Sequence, residues 1–183
     1  VFKLNPTNGV ETVVYSFQGE HDGAVPAAGL LNVNGTLVGT TELGGTNDCR
    51  GGCGTVFRIN PTTGAETVVH LFQNNNVDGY YPTAELIKVD SKLYGTTMGG
   101  GANGNGGTVY KLNLTSGTEA VVYSFCSTMN NAGQCLDGAA PVSSLIHIGN
   151  VLYGTTKYGG SGEGGTEGNC TLGCGTVFEV TLP

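Results

Sequence analysis

The tetrapeptide Gly-Thr-Val followed by an aromatic residue occurs three times, at residues 54–57, 107–110 and 175–178, and Val1-Phe2 opens the chain in the same phase. A chain that repeats itself at this period must fold as an array, because one unit alone cannot bury its apolar face. The copies run 1–55, 56–108 and 109–176, with 177–183 beginning a further one, and together they form one continuous repeat domain. Each copy holds four short alternating segments. In the first, Phe2/Leu4, Phe57/Ile59, Tyr110/Leu112 and Phe178/Val180 point one way, while Lys3, Arg58, Lys111 and Glu179 point the other. Turns such as Asn5-Pro6-Thr7-Asn8-Gly9 follow, with Pro fixing φ and Gly free to take positive φ. The second segment covers Glu11–Phe17, Glu66–Phe72 and Glu119–Phe125; the third holds Leu30–Val33, Leu86–Val89 and Leu145–Ile148. The fourth covers Thr36–Thr41, Lys92–Thr97 and Val151–Thr156, each ending Gly-Thr-Thr.

The expected class is therefore all-β, as tandem four-strand repeats forming β-propeller-like blades, with a β-solenoid or β-prism as alternatives. A glycine in mid-strand (Gly39, Gly95, Gly154) weakens a strand unless another backbone comes close. That predicts Gly-Thr-Thr as the innermost strand, at a crowded axis, with each blade running on through the next repeat's first three strands.

Composition narrows the function. The 33 glycines lack a three-residue period, which excludes collagen, and no stretch carries a helical apolar stripe. A net charge of −7 with only seven Lys and Arg argues against nucleic-acid and anionic-membrane partners. No apolar run is long enough for a membrane insertion in this segment. The start at Val1, without Met or leader, leads us to expect a mature or trimmed piece.

Six cysteines lie in three close pairs, Cys49/Cys53, Cys126/Cys135 and Cys170/Cys174. Even number and tight pairing predict local disulfides and an oxidising, extracellular compartment. The rival is zinc held by the two C-x3-C pairs. Those pairs sit two repeats apart on Gly-rich loops, a poor ligand frame, so no metal is expected.

LYGTT at 93–97 and 152–156, the GG after it, the GTVF motif, the NPxxG turn, ETVVYSF and the DGxxP motif together resemble the GloVer tandem repeat of bacterial "choice-of-anchor" secreted or surface proteins. The resemblance spans essentially the whole chain. It implies an exported bacterial protein and a propeller-like fold, and no activity. The departures are LVGTT in place of LYGTT at 37–41 and two long insertions in the third copy.

In an antiparallel meander the short turns share one end of the sheets, and the long, variable connections share the other. All six cysteines fall at that second end, where binding usually sits. Asp22, Asp78 and Asp137 begin the Asp-Gly-x-x-Pro motifs there. They read either as ligands for calcium or sugar hydroxyls or as Asx-type turns, and one carboxylate per loop is far short of what calcium needs. Tyr80 and Tyr81 are the candidates for stacking on a sugar ring, against plain packing on a neighbouring loop.

Gly160–Gly165 matches G-x-G-x-x-G but joins two strands, and Glu163 would repel phosphate, so no nucleotide cofactor is expected. The histidines do not converge: His21 is in a loop, His70 replaces Tyr15 and Tyr123, and His147 aligns with Asn32 and Lys88. No nucleophile elbow and no catalytic residue is visible. The expected function is a non-enzymatic extracellular module with a structural or filament-forming role, partnered by copies of itself or further repeats. The alternative is a carbohydrate-binding surface module, with extracellular glycans as partner.

Overall fold

The structure is a computed structural model and describes residues 1–162 and 172–182. Every regular element among them is a strand, and no helix is long and apolar enough to cross a membrane. The chain opens with a hairpin of β1 (Phe2–Leu4) and β2 (Glu11–Val13). The first full sheet follows as a meander of β3 (Leu31–Val33), β4 (Thr36–Thr41), β5 (Thr55–Ile59) and β6 (Glu66–Leu71). After the short strand β7 (Gly79–Tyr80), the second sheet orders β8 (Ile87–Val89), β9 (Lys92–Thr97), β11 (Thr108–Leu112) and β12 (Glu119–Ser124) in the same way. Between β9 and β11, β10 (Gly99–Gly100) pairs with β7. The third sheet has β13 (Ala139–Pro141) and β14 (Ile146–Ile148) along one edge of β15 (Val151–Tyr158), and β16 (Thr176–Thr181) along the other.

The predicted strands stand, with small shifts at their ends. The largest is β2, which stops at Val13 because its partner runs out: Val14 and Tyr15 both donate to the Val1 carbonyl. Sheets and sequence repeats are out of phase, as expected, but by a different amount. Each full sheet takes the last two strands of one copy and the first two of the next. The Gly-Thr-Thr strand is thus not innermost; it is flanked on both sides, β4 by β3 and β5, β9 by β8 and β11.

The mid-strand glycine has another cause. Gly39, Gly95 and Gly154 pair with Phe57, Tyr110 and Phe178, and a Cβ there would come within 2.6–2.7 Å of those rings. An aromatic ring from the next strand, not an approaching backbone, fills the space.

The sheets stack in series. Val38 and Val56 of the first sheet bury against Leu93, Tyr110 and Leu112 of the second. Tyr94 and Val109, on the second sheet's other face, bury against Leu152 and Leu182 of the third. Alternation along each strand supplies one apolar set per neighbour, which is why central strands such as Thr108–Leu112 are buried almost throughout. A ring relay marks every junction. Tyr15–Phe17–Phe57, His70–Phe72–Tyr110 and Tyr123–Phe125–Phe178 each run edge-to-face at centroid spacings of 4.8–5.1 Å.

Candidate functional site

The motif residues converge on the junctions between sheets, at the end where the long connections lie. Three side-chain devices recur there. The first is a buried hydroxyl pair. Thr41/Thr55, Thr97/Thr108 and Thr156/Thr176 join Oγ to Oγ at 2.8–2.9 Å, and each first Thr also accepts the backbone N–H of the second at 3.0–3.2 Å. This ties the last Thr of Gly-Thr-Thr to the Thr of Gly-Thr-Val and satisfies hydroxyls that water cannot reach.

The second device is the close packing of the DGxxP motif. Gly23, Gly79 and Gly138 lie so near Thr41, Thr97 and Thr156 that a Cβ would collide with the hydroxyl-bearing side chain. The residue before the proline (Val25, Tyr81, Ala140) takes φ of 54–59°, and Pro82 and Pro141 lie where a Cβ on Gly54 or Gly107 would have to go.

The third device is an aspartate clasp. Asp22 accepts from the Tyr15 hydroxyl (2.9 Å) and the Gln18 N–H (2.8 Å). Asp78 accepts from the N–H groups of Gln73 (3.1 Å) and Gly79 (2.7 Å) and lies 3.3 Å from His70 Nε2. Asp137 accepts from the Tyr123 hydroxyl (2.8 Å), the Ser127 hydroxyl (2.8 Å) and the N–H groups of Ser127 and Thr128. Each aspartate thus holds the connection back onto the ring that ends the second strand of its repeat. Burial acts against the Asp137 carboxylate, but the bonds from Tyr123, Ser127 and Thr128 outweigh it and hold its pKa below the usual range.

The candidate ligand residues therefore serve separate junctions rather than one ring of carboxylates. Tyr80 and Tyr81 do meet, edge-to-face at 4.9 Å. Tyr80 lies over Gly99 and packs at the margin of the first core, and Tyr81 donates its hydroxyl to the Arg50 carbonyl at 3.2 Å.

Of the three predicted disulfides, Cys49–Cys53 and Cys126–Cys135 are bridged, with Cα atoms 4.9 and 4.6 Å apart. Cys174 is disulfide-bonded, but Cys170 lies outside the described residues, so the geometry of a Cys170–Cys174 bridge does too. Residues 163–165 of the Gly-rich stretch also lie outside them. Local bridges of this kind fit an oxidising compartment.

Sequence reasoning passed over a glutamate that joins two of these clasps. Glu66 faces Asp22 and Tyr15 across the first junction, and Glu119 faces Asp78 and His70 across the second. The available signal was positional: both glutamates open the ETVV or EAVV segment of the following copy. Burial, then the Asp22 charge, pushes Glu66 up to about 6; burial, then Asp78, pushes Glu119 up to about 7, with His70 opposing. Burial and the bond to Asp22 also raise the Tyr15 phenol to about 12. The His70, Asp78 and Glu119 ligand atoms all lie within 4.8 Å of one another, the one such group among the described residues.

A raised carboxyl pKa favours the folded state most where the group is protonated. That contribution is complete below the unfolded pKa near 4.5 and disappears as pH rises through about 6 and about 7. In chelator-treated buffer, Tm is expected to rise as pH falls from about 8 to about 5, and Glu66→Gln should flatten the lower part of that rise. A Tm independent of pH over this range would show that neither carboxyl is buried as described.

The chain matches the model of the Gloeobacter/Verrucomicrobia repeat over residues 1–168. No curated protein matches it. A family match over nearly the whole chain agrees with three equivalent junctions built from the same motif residues, and the chain belongs to this tandem-repeat family of bacterial surface-type proteins.

Proposed function

We propose that this chain is a non-enzymatic structural module, whose role is to continue into further sheets of the same build, supplied by further repeats or end to end by a second copy. One observation carries the reading. Val56 and Val109, on faces covered by the next sheet, are fully buried, while their counterpart Val177 is 80% exposed. Ile146 and Ile148 on the same face are 60% and 62% exposed, where Val89 of the second sheet is 7%. Two other contacts agree. Thr40 and Thr96 donate to the carbonyls of Ala84 and Ser143 in the linkers that follow, whereas Thr155 in the same place is exposed.

The opposite end is open in the complementary sense. Phe2 and Leu4 are 64% and 58% exposed, although their counterparts Phe57, Ile59, Tyr110 and Leu112 are all fully buried. Covering such side chains is worth roughly 1–2 kcal/mol each. Among the described residues, the far edge of β16 has no partner like the one β6 gives β5 and β12 gives β11, an edge suited to strand addition. In such a joint the incoming β2 lies beside β16 and the next copy's first sheet covers Val177. Because β1 and β16 are the same strand of the repeat, one gives way to the other. Contacts of this heterologous kind extend into filaments when they do not close.

Sedimentation velocity of the 183-residue chain should show concentration-dependent association at tens of micromolar, abolished by Ile148→Lys with Val177→Lys. A chain that stays a compact monomer throughout overturns the reading.

A further inference from the structure

We infer that the second junction is a zinc site, formed by His70 and Asp78 of one copy and Glu119 of the next. The three junctions are built alike, and the second departs from the others at two positions that fall together. The ring in the aspartate clasp is a tyrosine at Tyr15 and Tyr123 but an imidazole at His70. The ring behind it is a phenylalanine at Phe57 and Phe178 but a tyrosine at Tyr110. A phenol clasps an aspartate well and needs no replacement for that purpose. Imidazole adds what phenol lacks, a neutral nitrogen donor suited to zinc.

The geometry is close to what the ion requires. Ligand atoms at ordinary zinc distances in a tetrahedron stand about 3.4 Å apart. His70 Nε2 and Asp78 Oδ2 are already 3.3 Å apart, and Glu119 has a carboxylate oxygen within 4.8 Å of both. A rotation of the glutamate side chain closes the remaining gap, and the fourth position falls to water.

Unmet polar groups point the same way. Glu119 Oε1 is buried without a hydrogen-bond partner, and so is the hydroxyl of Tyr110. Tyr110 is fully enclosed, with its ring edge-to-face on Phe72, which itself packs edge-to-face on His70. Among the described residues neither carboxylate pairs with a Lys or Arg. Two carboxylates beside one imidazole, one of them with a buried oxygen that has no hydrogen-bond partner, in a site where Asp78 is 7% exposed, are arranged for a cation. Because Glu119 belongs to the following sheet, the ion would pin one sheet to the next, as structural zinc does when it adds binding energy to folding.

The neighbouring junctions supply the controls. Chelator-stripped chain is titrated with Zn²⁺ by calorimetry, and Co²⁺ replaces it to report coordination by its visible absorption. Wild type should bind one Zn²⁺ per chain, gain Tm with the metal and give the intense absorption of four-coordinate Co²⁺. His70→Tyr should keep its fold and metal-free Tm, since tyrosine fills that place in both other junctions, and should lose at least tenfold in Zn²⁺ affinity. Tyr15→His, facing Asp22 and Glu66, should raise the stoichiometry from one to two. A wild type that takes up no Zn²⁺, or a His70→Tyr chain that binds as well as wild type, overturns the site.

Discussion

Gly107→Ala should cost roughly 2–5 kcal/mol and lower Tm by about 5–20 °C. Two strains combine. Gly107 has φ of 90°, outside the range an L-residue adopts freely, which costs about 1–2 kcal/mol. Its Cβ would also be driven into the Thr97 carbonyl, with Pro141 Cδ at 2.7 Å and the Met98 carbonyl at 2.9 Å. Backbone cannot rotate away as a side chain can, so overpacking adds about 1–3 kcal/mol. The damage should spread, because residue 107 also anchors its neighbours: its carbonyl accepts from Phe125 and its N–H donates to Gly100. In an array each sheet leans on the next, so loosening the second sheet strips cover from both others. Gly104→Ala isolates the backbone part, since Gly104 has φ of 71° with nothing within 4 Å of a Cβ, and it should cost about 1 kcal/mol. Equal losses at the two positions, read from thermal and urea unfolding, would mean that residue 107 has room the structure denies it.

The glycine of Gly-Thr-Val-Tyr thus has a reason only partly visible in one repeat: the clash partners of Gly107 come from 97–98 on the preceding strand and from Pro141 in the next copy. That is the general pattern of what could be read. Period-two alternation placed the four strands of each copy to within a residue or two, apart from β2, because each such strand has one apolar set per neighbouring sheet. The short strands β7, β10 and β13, set in the long connections, carry no such pattern and read as loop. Turns were legible for the same local reason. Strand order within a sheet was not, because the mid-strand glycine admits two explanations, backbone approach or a ring from the paired strand, and only the register of Gly95 with Tyr110 decides between them. The DGxxP aspartates were recognised as turn-formers or ligands, and the structure shows all three clasping backbone and ring groups. What stayed hidden was the partner: Asp78 meets His70 from its own copy and Glu119 from the next, 41 residues on. Spacing of that kind carries no local signal. It could be found only by aligning the copies and asking which substitutions occur together, as His70 and Tyr110 do.

The same clasps predict that Asp78→Ala is far more damaging than the equivalent change in the first copy. Asp78 is 7% exposed and accepts from two backbone N–H groups, and the bond from Gly79 is itself buried. Removing the carboxylate leaves that donor without water or partner, costing about 1–3 kcal/mol, and the lost charge-assisted bonds to Gln73 and His70 bring the total to roughly 3–4 kcal/mol. Asp22 is only half-buried, and Gln18, its backbone donor, is exposed, so water takes over much of the role and Asp22→Ala should cost about 1–2 kcal/mol. Asp78→Asn, which keeps an acceptor oxygen but no charge, should fall between. Part of the Asp78→Ala loss will be recovered at neutral pH, because the Asp78 charge is one of the two causes that push Glu119 up. With it gone, Glu119 ionises more readily in the folded chain, so the stability lost as pH rises toward 7 shrinks. Urea unfolding at pH 5 and pH 8, in chelator, separates the two effects: the Asp78→Ala penalty should be larger at pH 5. A penalty equal to that of Asp22→Ala, and the same at both pH values, would mean that burial at the second junction does not set the strength of its clasp.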